Sequence, residues 1–263
     1  MWYAIPVIET KMDREGNDLK LDIMGVRFDN VTMSEALERA EALLSEPGAG
    51  YCVTPNSEMV YEAMHDQSLR EILNHADLVL PDGSGVVLAS KILKTPLKEK
   101  VAGVDFSTAL LGILEAQGRS LYLLGAKPGI AELAAEKMLE KHPKLIIAGM
   151  HDGYFQDDAT VIETINALSP DVLFVCLGVP RQERFMADHQ NELNVRLMIG
   201  LGGTLDSIAG TVKRAPKWMI RMNLEWLYRL IKEPWRFRRM LRLPKFLFAV
   251  IRSRNGGNPT WEN

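Results

Sequence analysis

Nowhere in the 263 residues do about 18 apolar side chains run consecutively, so no segment reads as a helix that crosses a bilayer. The opening residues lack a basic stretch followed by an apolar core and do not read as a secretory signal peptide. Cysteine is scarce. Cys52 and Cys176 both sit inside apolar runs with strand character, which suits buried reduced thiols of a cytosolic protein better than a disulfide or a nucleophile. No Cys/His spacing matches a metal site, and no Asp-x-Asp pair offers a divalent cation to a diphosphate. The full G-x-G-x-x-G fingerprint is missing, which disfavours a nicotinamide-dependent oxidoreductase. There is no repeat of fixed period and no low-complexity tract, so neither a solenoid nor a disordered chain is expected.

What is present is strongly asymmetric in charge. The net charge of −3 hides a stretch from Lys213 to Arg254 with 13 basic and 2 acidic residues, while residues 1–212 carry 18 basic and 31 acidic ones. An acidic body with a basic tail points to an anionic membrane, a nucleic acid or a diphosphate as partner. The tail is also rich in large apolar groups, including Trp218, Trp226 and Trp235, three of the five tryptophans. Basic and aromatic residues interleaved at helical spacing suit the headgroup region of a membrane, which disfavours nucleic acid. Pro234 and Pro244 are expected to break this tail into pieces.

The body alternates strands and helices. Residues 19–30 read as a short hairpin, and Thr32 with Glu35 three residues on forms a capping-box signature. Strands are expected at 50–55, 76–81, 120–125, 145–150, 171–178 and 195–202. Helical patterns fall across 57–75 and at about 83–93, 105–117, 128–141, 157–168 and 180–191. Near-continuous Val/Ile/Leu strands separated by helices imply an α/β fold with a largely parallel sheet covered on both faces. The division expected is an N-terminal extension at 1–20, an α/β core at 21–212 and a basic amphipathic helical appendage at 213–254.

In such a sheet ligands bind outside the carboxyl ends of the strands, so the polar residues after each strand carry the functional reading. Asp82, in "LVLPDGSG", can serve as a general base or as a helix N-cap. Thr54 and Asn56 flank Pro55, where they can contact a sugar or simply form a turn and a cap. Gly125 with Gly129 suggests a phosphate or nucleotide turn, a weak signal taken alone. In "GVPRQE", Gln182 is either a recognition amide or an ordinary first-turn residue. His151 and Asp152 offer a dyad or a plain loop. Among the aromatics of the tail, Arg229, Arg236 and Arg239 can clamp a diphosphate or line a solvated or membrane-facing stripe.

Taken in order, "VTPNSEMV", "ADLVLPDGSGVVLASK", "KVAGVDF", "LYLLGAKPG", "HDGYF", "LFVCLGVPRQE", "GLGGTLDSIAGTVKRAP" and "LEWLYRLIKEPWRFRRM" resemble the WecG/TagA/CpsF glycosyltransferases. The resemblance spans about residues 20–252 and is strongest to the TagA branch. It implies a Rossmann-like core and an inverting, metal-independent enzyme that uses no cofactor. The substrates implied are a UDP-N-acetylmannosamine donor and an undecaprenyl-diphosphate N-acetylglucosamine acceptor of wall teichoic acid synthesis. A uronic acid donor is the alternative within the family. The resemblance places Asp82 as catalytic base, Thr54, Asn56 and Gln182 beside the donor, and Arg229, Arg236 and Arg239 on the diphosphate. It also implies a peripheral location on the cytoplasmic face of the cell membrane. The apolar surface of the tail calls for lipid or a partner subunit, so a homo-oligomer stays open. One position departs from the pattern: Lys100 stands where the family carries Arg, which keeps the charge and loses the bidentate fork. A non-enzymatic membrane adaptor is the remaining rival, and it leaves the strand-end polar cluster unexplained.

Overall fold

The computed structural model describes residues 20–222, 224–232 and 242–255. The described part opens with the expected hairpin, β1 (Lys20–Ile23) and β2 (Val26–Asp29), paired antiparallel. Met24 and Gly25 turn the chain with φ of 56° and 85°, the conformation a two-residue hairpin loop demands. The capping box is formed. Thr32 Oγ1 accepts the Glu35 N–H, and a Glu35 carboxylate oxygen accepts the Thr32 N–H at the start of α1 (Met33–Ser45).

Among the described residues the main sheet has six strands, all parallel. They are β3 (Gly50–Val53), β4 (Leu78–Val79), β5 (Ser120–Gly125), β6 (Ile146–His151), β7 (Val172–Cys176) and β8 (Leu197–Gly200). Their spatial order is β4-β3-β8-β7-β5-β6. Strand β4 is shorter than the run of apolar residues suggested. Among the described residues it pairs only with β3, and the preceding Asp77 turns its carboxylate to the Tyr51 N–H at 2.9 Å.

Side chains of the strands inside the edge strand β6 alternate into two buried layers. On one side Tyr51, Val53, Tyr122, Leu124, Leu173 and Val175 join α2 (Ser57–Ala63), α3 (Gln67–His75), α4 (Ser84–Ile92), α7 (Asp158–Leu168) and α8 (Arg181–Asp188). On the other, Cys52, Leu121, Leu123, Val172, Phe174 and Ile199 meet α1, α5 (Gly103–Gln117), α6 (Ile130–Lys141) and α9 (Thr204–Ala209). Two-sided burial is why the strands carry almost no polar residues. Both cysteines are buried with free thiols, and burial pushes the Cys176 thiol up to about 12.

Among the described residues three tail helices follow: α10 (Lys217–Arg221), α11 (Glu225–Lys232) and α12 (Arg242–Arg254). The last of them packs on the body. Its Phe246 and Val250 are fully buried in the first of the two core layers, and α12 packs against α2 and α4. Arg242 reaches Glu62 at 2.9 Å and Glu58 at 3.4 Å. Pro244 does not break this helix. It lies in the first turn, where a missing N–H costs no hydrogen bond.

Candidate functional site

The connection leaving β5 runs outward to β6, and the one leaving β7 runs the other way to β8. Such a reversal opens a crevice between carboxyl ends. A cleft of about 590 Å³ lies there, walled by Ala126 and Lys127 after β5, by Cys176, Leu177 and Gly178 at the end of β7, and by Gly202, Gly203 and Asp206. The loop Gly153–Phe155 closes one side. Arg181 holds that loop, donating to the Gly153 carbonyl at 2.7 Å and the Phe155 carbonyl at 3.3 Å while stacking 4.5 Å above the Phe155 ring.

A second, smaller cleft of about 140 Å³ sits beside it at the ends of β3, β4 and β8. Thr54, Asn56, Asp82 and Gln182 all line it. Four residues separated along the chain thus meet in one place. Gly202 and Gly203 line both clefts, so this turn is their common wall.

The local roles of these residues separate clearly. The N-cap position of α4 is Gly83 at φ 92°, so Asp82 stands one residue ahead of it. The Asp82 N–H donates to the Pro55 carbonyl at 3.2 Å, tying its loop to the one after β3, and Asp82 lines the cleft. Asn56 is a cap: its Oδ1 accepts from the Glu58 and Met59 N–H groups, both at 3.0 Å. Thr54 is buried and donates through Oγ1 to the Gly200 carbonyl at 2.9 Å, joining the ends of β3 and β8. Gln182 is 1% exposed, and its Oε1 accepts the Gly202 N–H at 2.9 Å.

Gly125 stands at the end of β5 at φ 124°, and a Cβ built on it would lie 2.3 Å from the Cys176 carbonyl oxygen. Glycine is needed there for the close approach of β5 to β7, and it shapes the larger cleft through its neighbour Ala126. The His151–Asp152 pair does not form a dyad. His151 Nδ1 lies 2.8 Å from the Asp152 carbonyl oxygen, while the Asp152 carboxylate accepts from the Tyr154 N–H. Lys100 is not among the residues lining either cleft. Arg236 and Arg239 lie outside the described residues, as does the side chain of Arg229, whose backbone belongs to α11.

Two further residues at and beside the site are not singled out by their type or spacing in the sequence. Glu225, at the start of α11, lines the smaller cleft. Arg214 grips the Asp105 carboxylate with both terminal nitrogens, at 2.6 and 3.1 Å, and its Nε lies 3.7 Å from Glu225. The Asp105 hydrogen bond, followed by the charges of Asp105, Glu225 and Asp82, raises the Arg214 pKa above its ordinary value. An arginine therefore connects the helix behind the cleft to the tail in front of it, within electrostatic reach of Asp82. No residue pattern betrays this, because Arg214 and Asp105 are 109 positions apart.

A parallel sheet with adjoining clefts at its strand ends, one glycine-walled and one lined by carboxylates and amides, is the architecture in which α/β enzymes hold their ligands. The comparison with known proteins narrows the class. Residues 21–259 match the glycosyl transferase WecG/TagA/CpsF family, and the chain belongs to that family. It is similar to an N-acetylglucosaminyldiphosphoundecaprenol N-acetyl-beta-D-mannosaminyltransferase of Bacillus subtilis strain 168, 40% identical over 76% of this chain and 78% of that protein. A protein of the same name from Bacillus spizizenii is 39% identical over 80% and 81% of the two chains. One from Staphylococcus aureus strain MRSA252 is 33% identical over 92% and 96%.

Proposed function

We propose that this enzyme transfers N-acetylmannosamine from UDP to N-acetylglucosaminyl-diphospho-undecaprenol, with Asp82 as the base. The carrying observation is the position of Asp82. It stands one residue ahead of the Gly83 N-cap of α4, and it shares a cleft with Gln182 and the Gly202–Gly203 turn that also walls the larger cleft. The larger cleft has the volume of a nucleotide site, and its small and glycine residues let backbone N–H groups approach phosphate. The donor sugar then points past Gly202 toward Asp82, with Thr54, Asn56 and Gln182 around it.

Transfer is a single displacement. The acceptor's 4-hydroxyl gives its proton to Asp82 as its oxygen bonds to the anomeric carbon. The bond from that carbon to the diphosphate breaks, and UDP leaves with the electron pair, so configuration inverts. Negative charge grows on the departing diphosphate and needs fixed cations. Arg229, Arg236 and Arg239 are assigned that role, with Lys127 at the rim of the larger cleft.

The tail brings the enzyme to its lipid-linked acceptor. Among the described residues no helix is long and apolar enough to cross a membrane. Exposed instead are Trp218 at 59%, Met222, Trp226 and Ile231 on and beside α10 and α11, and Phe248 at 68% with Ile251 on α12. Apolar groups set among lysines and arginines support peripheral binding to an anionic surface, here the cytoplasmic face of the cell membrane. The same apolar surface would serve a second copy of the chain, which sedimentation with and without lipid distinguishes.

The deciding experiment is UDP release from UDP-N-acetylmannosamine, with and without the lipid-diphosphate acceptor, in wild type and Asp82→Asn. Acceptor-dependent release that Asp82→Asn lowers by ~10²-fold or more is the expected result for a lost general base. Near-full activity of Asp82→Asn would remove the base from the mechanism. Release only with the corresponding uronic acid donor would move the substrate, leaving the chemistry in place.

A further inference from the structure

Glu183 follows Gln182 in the first turn of α8 and is 0% exposed. Its Oε1 accepts a hydrogen from Gln182 Nε2 at 2.8 Å, and its Oε2 is buried without a hydrogen-bond partner. A buried carboxylate with an unsatisfied oxygen costs stability, and such groups persist mainly where function requires them. Burial, helped by the charge of Glu62 and opposed by the Gln182 hydrogen bond, pushes the Glu183 pKa up to about 7. The neighbouring charges are otherwise committed. Glu62 is held by Arg242 of α12, Arg184 by Asp66 ahead of α3, and Arg181 by the Gly153 and Phe155 carbonyls.

The consequence lies in the orientation of the Gln182 amide. A backbone N–H only donates, so the Gln182 atom facing the Gly202 nitrogen at 2.9 Å must be Oε1. That sets Nε2 on the Glu183 side, where it needs an acceptor. The amide also lies against Gly200, where a Cβ would come within 3.0 Å of Nε2. Removing the acceptor leaves Nε2 unpaired in a buried site, and the amide then gains by rotating away from Gly202. Gly202 is the wall of both clefts.

We propose that Glu183 is a positioning residue for the transfer: by accepting from Gln182 it fixes the amide that holds the Gly202–Gly203 turn between the donor and Asp82 clefts. This rests on the reading of Gln182 and Gly202 as parts of the substrate site.

The test compares UDP-release kinetics of wild type, Glu183→Leu, Glu183→Gln, Gln182→Leu and the double variant Gln182→Leu/Glu183→Leu, each first shown to be folded. Loss of the acceptor in Glu183→Leu should lower kcat/KM for the donor on the order of 100-fold, the scale of a misplaced site. Glu183→Gln still presents an oxygen to Nε2 and should stay within about threefold of wild type. Because Glu183 acts through Gln182, the double variant should be no worse than Gln182→Leu alone. Full activity of Gln182→Leu would sink the site reading itself. An impaired Gln182→Leu beside an active Glu183→Leu, or additive losses in the double variant, would overturn this inference alone. Should Glu183→Leu not fold, the wild-type protein decides. In NMR spectra the Gln182 side-chain amide and the Gly202 N–H should shift with the same midpoint as the Glu183 carboxyl carbon. A carboxyl that titrates without moving either signal refutes the coupling.

Discussion

Replacing Glu183 by glutamine should make the folded chain progressively more resistant to urea, relative to wild type, as pH rises from 4.5 to about 7. The reason is proton linkage. Burial raises the Glu183 pKa from 4.5 to about 7, so between those values the folded chain keeps a proton that the unfolded chain releases. Stability from this group is therefore fully present below 4.5 and is lost as pH rises to about 7. The gap, at ~1.4 kcal/mol per pH unit, corresponds to about 3 kcal/mol at most. Glutamine has no such proton, so the variant escapes the loss. Its own Nε2 meets the site where Oε2 finds no partner, which adds a penalty, but that penalty is the same at every pH. Glu62, the nearby acid that contributes to the shift, is present in both proteins and cancels in the difference. The assay is urea unfolding of both proteins at about pH 5, 6, 7 and 8, with the difference in stability plotted against pH. It should rise by about 2 kcal/mol or somewhat more between about pH 5 and 8, the part of the window the assay covers. A flat difference would show that Glu183 is not held protonated, and the account of its burial would fall.

Three further outcomes are expected. Arg214→Ala should lower kcat on the order of tenfold in the UDP-release assay by freeing Asp105 and α11 from one another, and Arg214→Lys should recover only part, lacking the fork that grips Asp105. Gly125→Ala places a Cβ 2.3 Å from the Cys176 carbonyl at a φ of 124°, and should cost about 3 kcal/mol or more in urea unfolding. Wild-type stability in that variant would mean the end of β5 is looser than drawn. Replacing both Trp218 and Trp226 by serine should reduce co-flotation with anionic vesicles while leaving the far-ultraviolet circular dichroism unchanged, since both side chains are exposed. Unchanged flotation would shift the membrane contact to α12.

Much of the fold is legible in the sequence because two-sided burial writes itself as uninterrupted apolar runs. Strand β5 was expected at 120–125 and spans Ser120–Gly125; the Thr32–Glu35 capping box is a local arrangement and formed as read. Strand β4 was overextended to 76–81, since apolar character continues past the two residues that pair, Leu78 and Val79. Pro244 misled for a related reason: proline breaks a helix interior and suits a first turn, and the residues around it do not say which applies.

The candidate site divides along the same line. Residue types and spacing already placed Thr54, Asn56, Asp82 and Gln182 after strands, and the sheet gathers them because parallel strands bring all their carboxyl ends to one edge. The sequence left Asp82 between cap and base, since an aspartate before a helix suits both. In the structure Gly83 takes the N-cap position, and Asp82 stands one residue ahead of it. Glu183 and Arg214 were out of reach of any local reading. A glutamate in a first helical turn normally faces water, and only packing of α8 against the sheet buries this one. Arg214 gains its meaning from Asp105, 109 residues earlier, which the fold alone brings to hydrogen-bonding distance. Short-range chemistry thus determined the elements and the chemistry-bearing residues at their ends. Burial and long-range pairing, which depend on the whole chain, decided which of them hold the site in place.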